Sequence, residues 1–390
     1  MTTLYINGKF SAQSVTGVQR AAIELVRALD RVLAMDDDVH RVRCVLLCPP
    51  GATPPVLEHI EVRFVGAAGR NLQWWEQVRL SWAARDGVLL NLSGSAPWLS
   101  ARKSVCLLHD AAVFDHPNTY TLTFRLWYRT LFRHLGKHAL ALITISSFAR
   151  DRLCKALNVP IERFRIVQHG SDHFQRVAAD NSVMASYGLT PNRFILVVGT
   201  AKQTKNVAAV LSAWRALRPD PASVLVWVGG TNHLVFSEPD SSQAEVETDE
   251  SQGIFRIGYI SDSRLKALYE NAAGLMLPSY YEGFGLPAIE AMVCGCPVAA
   301  ASAASLPEVC ANAAYFFDPA RLDDMGKVMD GLLNDGRLRE RLRLRGRERA
   351  LDFTWDKAAR NLMSQLNEAG VYRKVATENN TMHEVPSTSA

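Results

Sequence analysis

The sequence predicts an α/β protein built as two doubly wound domains, and three observations predict it. A chain of 390 residues is too long for one ordinary core and suits two domains of roughly 150–200 residues. Short β-branched and apolar runs alternate with longer helix-period stretches from end to end, the pattern of parallel sheets joined by crossover helices. Most of the short runs are apolar at consecutive positions. Both faces of such a strand must be covered, as in a parallel sheet with helices on either side.

Taken in order, the strand candidates of the first half are Leu4–Ile6, Cys44–Cys48, Val62–Val65, Val88–Leu92, Val105–Leu108, Leu140–Ile145 and Phe164–Gln168. Those of the second are Phe194–Val198, Val224–Val228, Ile254–Ile257, Gly274–Leu277, Val298–Ala300 and Tyr315–Phe317. After the first strand, Thr16 is placed to cap a helix in which Val18, Ala22, Leu25 and Leu29 form one buried stripe. The predicted domains are residues 1–180 and 190–350, with a polar link at Arg176–Asn192. Residues 351–370 add a terminal helix. Ser237–Gly253 is acidic and aperiodic and is expected to be a mobile surface loop, while the tail 371–390 has no apolar face and is expected to be disordered.

Composition bounds the function. With 48% hydrophobic and 21% charged residues the chain is globular and soluble in character. It has no apolar run near the ~20 residues of a membrane span, and MTTLYINGKF lacks the features of a signal peptide. Seven scattered cysteines do not form a disulfide framework, and Cys294-Gly-Cys296 is one residue too tight for a zinc or redox pair. A cytoplasmic protein with reduced thiols is expected. The net charge of +4 divides unevenly: residues 1–180 hold 22 Lys and Arg against 15 Asp and Glu, the remainder 21 against 24. A basic first half suits an anionic partner. Nothing points to nucleic acid.

The most informative stretch is Tyr281–Pro297, YEGFGLPAIEAMVCGCP. It follows a buried strand, so it lies at a strand's carboxyl end, where ligands bind in such sheets. Gly283 and Gly285 allow close backbone approach, and Pro287 suits the first turn of a helix. The N–H groups of Phe284, Gly285 and Leu286, with the helix dipole, make a phosphate site. Glu282 and Glu290 flank it and are better matched to neutral hydroxyls, which carboxylates accept. One acid per sugar with amides between describes a ligand with sugars on both sides of a diphosphate, that is, a nucleotide sugar.

Tyr281–Val309, YEGFGLPAIEAMVCGCPVAAASAASLPEV, resembles the donor-site signature of the retaining glycosyltransferases of family 4, the group 1 glycosyltransferases of the polysaccharide and O-antigen mannosyltransferase type. The resemblance implies the GT-B fold, two Rossmann-like domains facing a cleft, acceptor domain first. By position it gives Glu282 the transferred sugar's hydroxyls, Glu290 the ribose, and Gly283 to Leu286 the sugar and phosphate. Ser104–Pro117, SVCLLHDAAVFDHP, is similar to the loop that sets a histidine, here His109, beside the donor sugar. ITISSFARDRL and FRIVQHGSDHF resemble the next two elements, and Gly17 with Arg20 resembles the first loop, Gly17 facing the donor and Arg20 the acceptor. Trp355 looks like the start of the helix that crosses back. Implied too are a catalytic trio of His109, Glu282 and Lys205, no metal, no cofactor and no side-chain base. One departure stands out in VVGTAKQTKN: Lys205 is kept, but Thr204 stands where the family usually has arginine. Lys202 is the candidate substitute as a point charge, weaker than a bidentate guanidinium.

The expected activity is transfer of a hexose, mannose favoured over others and GDP over UDP, to a glycan or lipid-linked glycan acceptor. The alternatives are a sugar-nucleotide epimerase of the same fold or a degenerate, non-catalytic nucleotide-sugar-binding protein. Gly283–Ala288 formally matches a dinucleotide fingerprint, but no acid ends the following strand. Asp36–Asp38 formally resembles a metal motif, yet acids between a helix and a strand are ordinarily solvated. FRLWYRTLFRHLGKH (Phe124–His138) carries Arg125, Arg129, Arg133 and Lys137 in one stripe, and Asn71–Arg85 sets Trp75, Val78 and Trp82 on one side. Each is either a helix on the inner leaflet of a membrane, peripherally bound, or one packed on its own sheet.

Overall fold

The computed structural model describes residues 2–35, 42–67, 71–217, 220–229 and 249–371. Asp36–Asp38, most of Ser237–Gly253 and the tail from residue 372 lie outside the described residues. Two all-parallel sheets organise the rest. The first has seven strands in the order β3-β2-β1-β4-β5-β6-β7. These are β1 (Thr3–Asn7), β2 (Arg43–Cys48), β3 (Glu61–Phe64), β4 (Val88–Asn91), β5 (Ser104–Leu107), β6 (Ala141–Thr144) and β7 (Phe164–Ile166). The second has six in the order β10-β9-β8-β11-β12-β13: β8 (Phe194–Val198), β9 (Val224–Val228), β10 (Ile254–Arg256), β11 (Gly274–Leu277), β12 (Val298–Ala301) and β13 (Ala314–Phe317). This is the doubly wound pair of the GT-B fold.

The sequence explains the layering. β2, β5, β6, β11 and β12 are buried nearly throughout, as consecutive apolar residues require. β3 differs: Glu61, Arg63 and Phe64 are exposed, because it is an edge strand. Both sheets reverse order once, beside β1/β4 and beside β8/β11, and each reversal opens a crevice at the carboxyl ends of the strands.

The helix Gly17–Met35 buries Ala22, Leu25 and Leu29, with Val18 half-buried at its start. Thr16 contributes its carbonyl to Arg20 N–H, and Gln19 reaches back to Thr16 N–H at 3.3 Å, half of a capping box. The link at Arg176–Asn192 is less irregular than its composition implies. Ser182–Ser186 is helical and buries Val183 and Met184, so two apolar residues anchor it.

Two crossings join the domains and are laced together. Ser171 N–H donates to the Phe353 carbonyl at 3.0 Å, and Trp355 N–H to Asp172 Oδ1 at 2.7 Å. A Cβ on Gly170 would lie 2.2 Å from the Trp355 nitrogen, so only glycine admits this approach. The helix Trp355–Glu368 then packs against Gly17–Met35, with Arg31 paired to Asp356 at 2.6 Å.

The two amphipathic stretches resolve differently. Leu122–His138 packs on its own domain: Leu131, Phe132 and Leu135 are buried, and Arg129 donates to the Val113 and Phe114 carbonyls. In Asn71–Arg85 the apolar stripe is shifted by one residue. Trp75 is buried and donates to the Val65 carbonyl at 2.7 Å, whereas Trp74, Val78 and Trp82 are exposed together. The shift comes from a π-helical turn at Trp75–Leu80, whose wider winding brings every fourth residue into line. No described helix is long and apolar enough to cross a membrane.

Candidate functional site

The order reversal at β8/β11 sets two loops side by side, Gly199–Lys205 after β8 and Pro278–Gly285 after β11. Thr204 pins them together, since its carbonyl accepts Tyr280 N–H at 2.9 Å. The residue in the usual arginine position thus acts through its backbone. Lys202 and Lys205 bracket a single 3-10 turn. Lys205 Nζ donates to Glu282 Oε1 at 2.6 Å, and Ser279 Oγ donates to the same oxygen at 2.8 Å. Among the described residues Oε2 of Glu282 has no donor.

Lys202 is held in the same electrostatic field. Burial, and next the charge of Lys205, bring its ammonium down to about 8, against the pull of Asp110 and Glu282. A lysine desolvated beside another cation is poised to gain stabilisation from an anion.

The helix Leu286–Val293 opens at Gly285, whose φ of 94° is left-handed and suits glycine. Among the described residues none accepts from the N–H groups of Phe284, Gly285 or Leu286. These donors and the helix dipole make the loop an anion cradle. Phe284 is buried edge-on against His169 and Phe353. Gly17 faces the cradle from the first domain: a Cβ there would meet Leu286 at 3.8 Å.

Across the cleft, His109 is fixed from both sides. Its Nε2 lies 2.9 Å from the Leu92 carbonyl, which can only accept, so Nε2 carries the proton. Nδ1 then accepts from His169 Nε2 at 3.4 Å. Burial pushes both imidazoles down, His169 well down. With both nitrogens occupied, the ring is no proton acceptor for a reaction. The His109 carbonyl oxygen is what faces the donor loop, 2.7 Å from where a Cβ on Gly283 would sit. Glycine at 283 is therefore a requirement of close approach between domains.

Glu290 sits elsewhere. It is 8% exposed on the inner side of its helix, with His173 Nε2 at 3.4 Å and Tyr269 Oη at 3.5 Å. Glu282, 9% exposed, and Glu290 thus have separate partners, Lys205 and Ser279 for the first, His173 and Tyr269 for the second. Arg20 is not gathered into the site: its guanidinium is bidentate on Asp262 of the second domain, both contacts 2.5 Å. Among the described residues no cluster of three or more His, Cys, Asp or Glu is arranged for a metal ion.

Several residues of the site were not singled out from sequence. Tyr281 Oη accepts Ala111 N–H at 3.1 Å and donates to Asp115 at 3.0 Å. Ser146 Oγ donates to the Gly283 carbonyl at 2.6 Å, and Glu308 caps the helix Ser147–Leu157 through Ser147 and Phe148 N–H. Tyr281 and Ser146 tie the β11 loop to the first domain, and Glu308 does the same for the helix Leu306–Cys310. At the β1/β4 reversal, Lys9 and Glu76 form a buried pair at 2.8 Å, with Asn7 and Ser95 also donating to Glu76. The signals were present but faint: Asn-Gly-Lys leaving a strand, and a glutamate directly after two tryptophans.

Two facing Rossmann-like domains, with an anion cradle at a strand-order reversal, are the frame of a glycosyl-transferring enzyme of the GT-B fold. The chain belongs to the group 1 glycosyl transferases, whose family pattern matches residues 183–349. O-antigen chain mannosyltransferase B of Escherichia coli is 31% identical over 290 residues, covering 71% of this chain and 74% of that protein. The serotype-specific mannosyltransferase WbdA of Escherichia coli is 27% identical over 67% of this chain, which spans only 32% of WbdA. Among solved structures, sucrose-phosphate synthase from Thermosynechococcus elongatus superposes with a TM-score of 0.72 at 18% identity, covering 94% of this chain and 98% of that one.

Proposed function

We propose that this glycosyltransferase moves a hexose, mannose by preference, from a nucleotide diphosphate sugar to a glycan or lipid-linked glycan acceptor, with retention, in polysaccharide or O-antigen synthesis. The observation that carries the reading is the convergence of Lys202, Lys205, Glu282 and the opening turn of Leu286–Val293 on one crevice. GDP-mannose is favoured as donor because the relatives at 31% and 27% identity are mannosyltransferases.

In this reading the diphosphate lies on the N–H groups of Phe284 to Leu286 between the two lysines. Glu282 accepts from the hexose hydroxyls, Glu290 from the ribose, and the His109 carbonyl borders the sugar. The bond from the anomeric carbon to the phosphate oxygen breaks, and the acceptor oxygen bonds to that carbon on the same face. The acceptor's proton passes to the departing phosphate oxygen. Developing charge on the leaving group is met by Lys202, Lys205 and the helix terminus. No side-chain base is needed, and the locked His109 is consistent with that.

A membrane-borne acceptor suits the exposed face of Asn71–Arg85. Trp74 and Trp82 are 50% and 67% exposed, and each carries a guanidinium, Arg79 and Arg85, over its ring. Apolar rings flanked by cations fit the boundary of an anionic bilayer.

Four measurements test the reading. In a thermal-shift panel of GDP, UDP, ADP and their sugars, one nucleotide series should raise the melting temperature by mass action. Glu282→Gln should lower turnover by about a hundredfold, while Glu290→Ala mainly weakens donor binding. A panel without response, or full activity in Glu282→Gln, would overturn it. Because the Lys202 charge is present below about 8 and lost above it, kcat/KM for the donor should decline as pH rises past that value. Lys202→Met should be weak at all pH and lack that step; an unchanged step would remove Lys202 from the site. Finally, the protein should sediment with vesicles containing phosphatidylglycerol, and the double replacement Trp74→Ser with Trp82→Ser should abolish this. Equal sedimentation of both proteins would refute the membrane face.

A further inference from the structure

The two chain crossings between the domains reach the donor site by two routes. One is aromatic: Phe284 of the donor loop stacks edge-on with Phe353, and His169 lies between Phe284 and Trp355. The other is polar and ends on Glu290. Trp355 Nε1–H donates to His173 Nδ1 at 3.1 Å. An indole nitrogen can only donate, so Nδ1 must be the accepting nitrogen and the imidazole proton sits on Nε2. That Nε2 is buried, has no well-aligned acceptor among the described residues, and lies 3.4 Å from Glu290 Oε1. The distance allows a hydrogen bond but the angle does not complete it, and a small rotation of the Glu290 side chain would.

Glu290 has little else to hold it. Its other oxygen lies 3.5 Å from Tyr269 Oη, and among the described residues no lysine or arginine is within ion-pair reach of it. A nearly buried carboxylate steered by two neutral donors keeps its charge available to a ligand's hydroxyls, whereas a guanidinium would occupy it. Both parts of the relay are rigidly seated. His173 follows Asp172, which takes Trp355 N–H, and Gly170 lies against the Trp355 backbone with no room for a side chain.

We infer that His173 is a positioning residue for the donor: oriented by Trp355 at the domain crossing, its Nε2–H sets the Glu290 carboxylate for the nucleoside hydroxyls. This rests on Glu290 receiving those hydroxyls, as proposed above. It adds that grip on the nucleoside depends on the seating of the Phe353–Trp355 crossing, so nucleoside binding and domain placement are coupled through one hydrogen-bonded chain.

The test is calorimetric titration with GDP and UDP and, for whichever binds more tightly, its 2′,3′-dideoxy form. His173→Ala should weaken the normal nucleotide by about tenfold and leave the dideoxy form nearly unchanged, since the lost contact serves only the hydroxyls. The loss should not add to that of Glu290→Ala in a double-mutant cycle. His173→Gln should restore most of the affinity, because its amide can accept from Trp355 and donate to Glu290. Trp355→Phe, which keeps an aromatic side chain but deletes the N–H with its five-membered ring, should move affinity in the same direction as His173→Ala. Equal weakening of normal and dideoxy nucleotides, or additive losses, would overturn the role of His173. If Glu290→Ala itself leaves binding of the normal nucleotide unchanged, the assignment of Glu290 fails first and takes the relay with it.

Discussion

A parallel sheet that reverses its strand order must leave a gap between the two loops flanking the reversal, because their crossovers run to opposite sides. In the second sheet that gap lies between β8 and β11, and the site proposed for the donor depends on it. The β8 loop brings Lys202 and Lys205, and the β11 loop brings Glu282 and the glycine turn. Neither loop alone would hold a diphosphate. Backbone pairing of Thr204 with Tyr280 fixes their separation, so the cradle is set by main chain and filled by side chains. This explains how a threonine can stand in an arginine's place without disturbing the loop. What it removes is one bidentate cation, and what remains are two point charges whose mutual repulsion is already present before any ligand arrives.

The second constraint is closeness between domains. Gly283 and Gly170 are both positions where another backbone occupies the space of a side chain, one at His109 and one at Trp355. Around them the contacts are polar and specific: Ser146 to Gly283, Glu308 to Ser147 and Phe148, Tyr281 to Ala111 and Asp115, Arg20 to Asp262. Such interfaces are more easily parted than a hydrophobic one. The β11 loop is therefore shaped partly by the first domain, and His109 meets it with its carbonyl. Its imidazole serves to hold that carbonyl in place.

Much of this was legible in the sequence, for identifiable reasons. Thirteen strands could be placed because parallel strands buried on both faces are runs of consecutive apolar residues, and at β3, an edge strand, Phe64 beside Val65 still keeps a trace of that pattern. The glycine turn with its two acids was legible because all its parts lie within one short stretch. What escaped notice joins distant segments. Arg20 and Asp262 are 242 positions apart, and Asn7 and Glu76 are 69 apart; no local pattern announces either pair. Trp75 and Trp74 exchanged roles because a π-helical turn alters the period on which the expectation was based. The link at Arg176–Asn192 concealed a helical turn because Val183 and Met184 are too few to establish a period. His173 lies within FRIVQHGSDHF with nothing local to mark it, and only the folded chain sets it between Trp355 and Glu290.

The central claim is that main-chain amides at the start of Leu286–Val293, aided by two lysines, grip a diphosphate between Glu282 and Glu290. A crystal structure of the protein with a bound nucleoside diphosphate tests it most directly. The account predicts phosphate oxygens on the N–H groups of Gly285 and Leu286, Lys202 and Lys205 turned toward them, and ribose hydroxyls on Glu290. A nucleotide bound instead at the β1/β4 crevice, or seated at β8/β11 with its phosphates away from that turn, would contradict it.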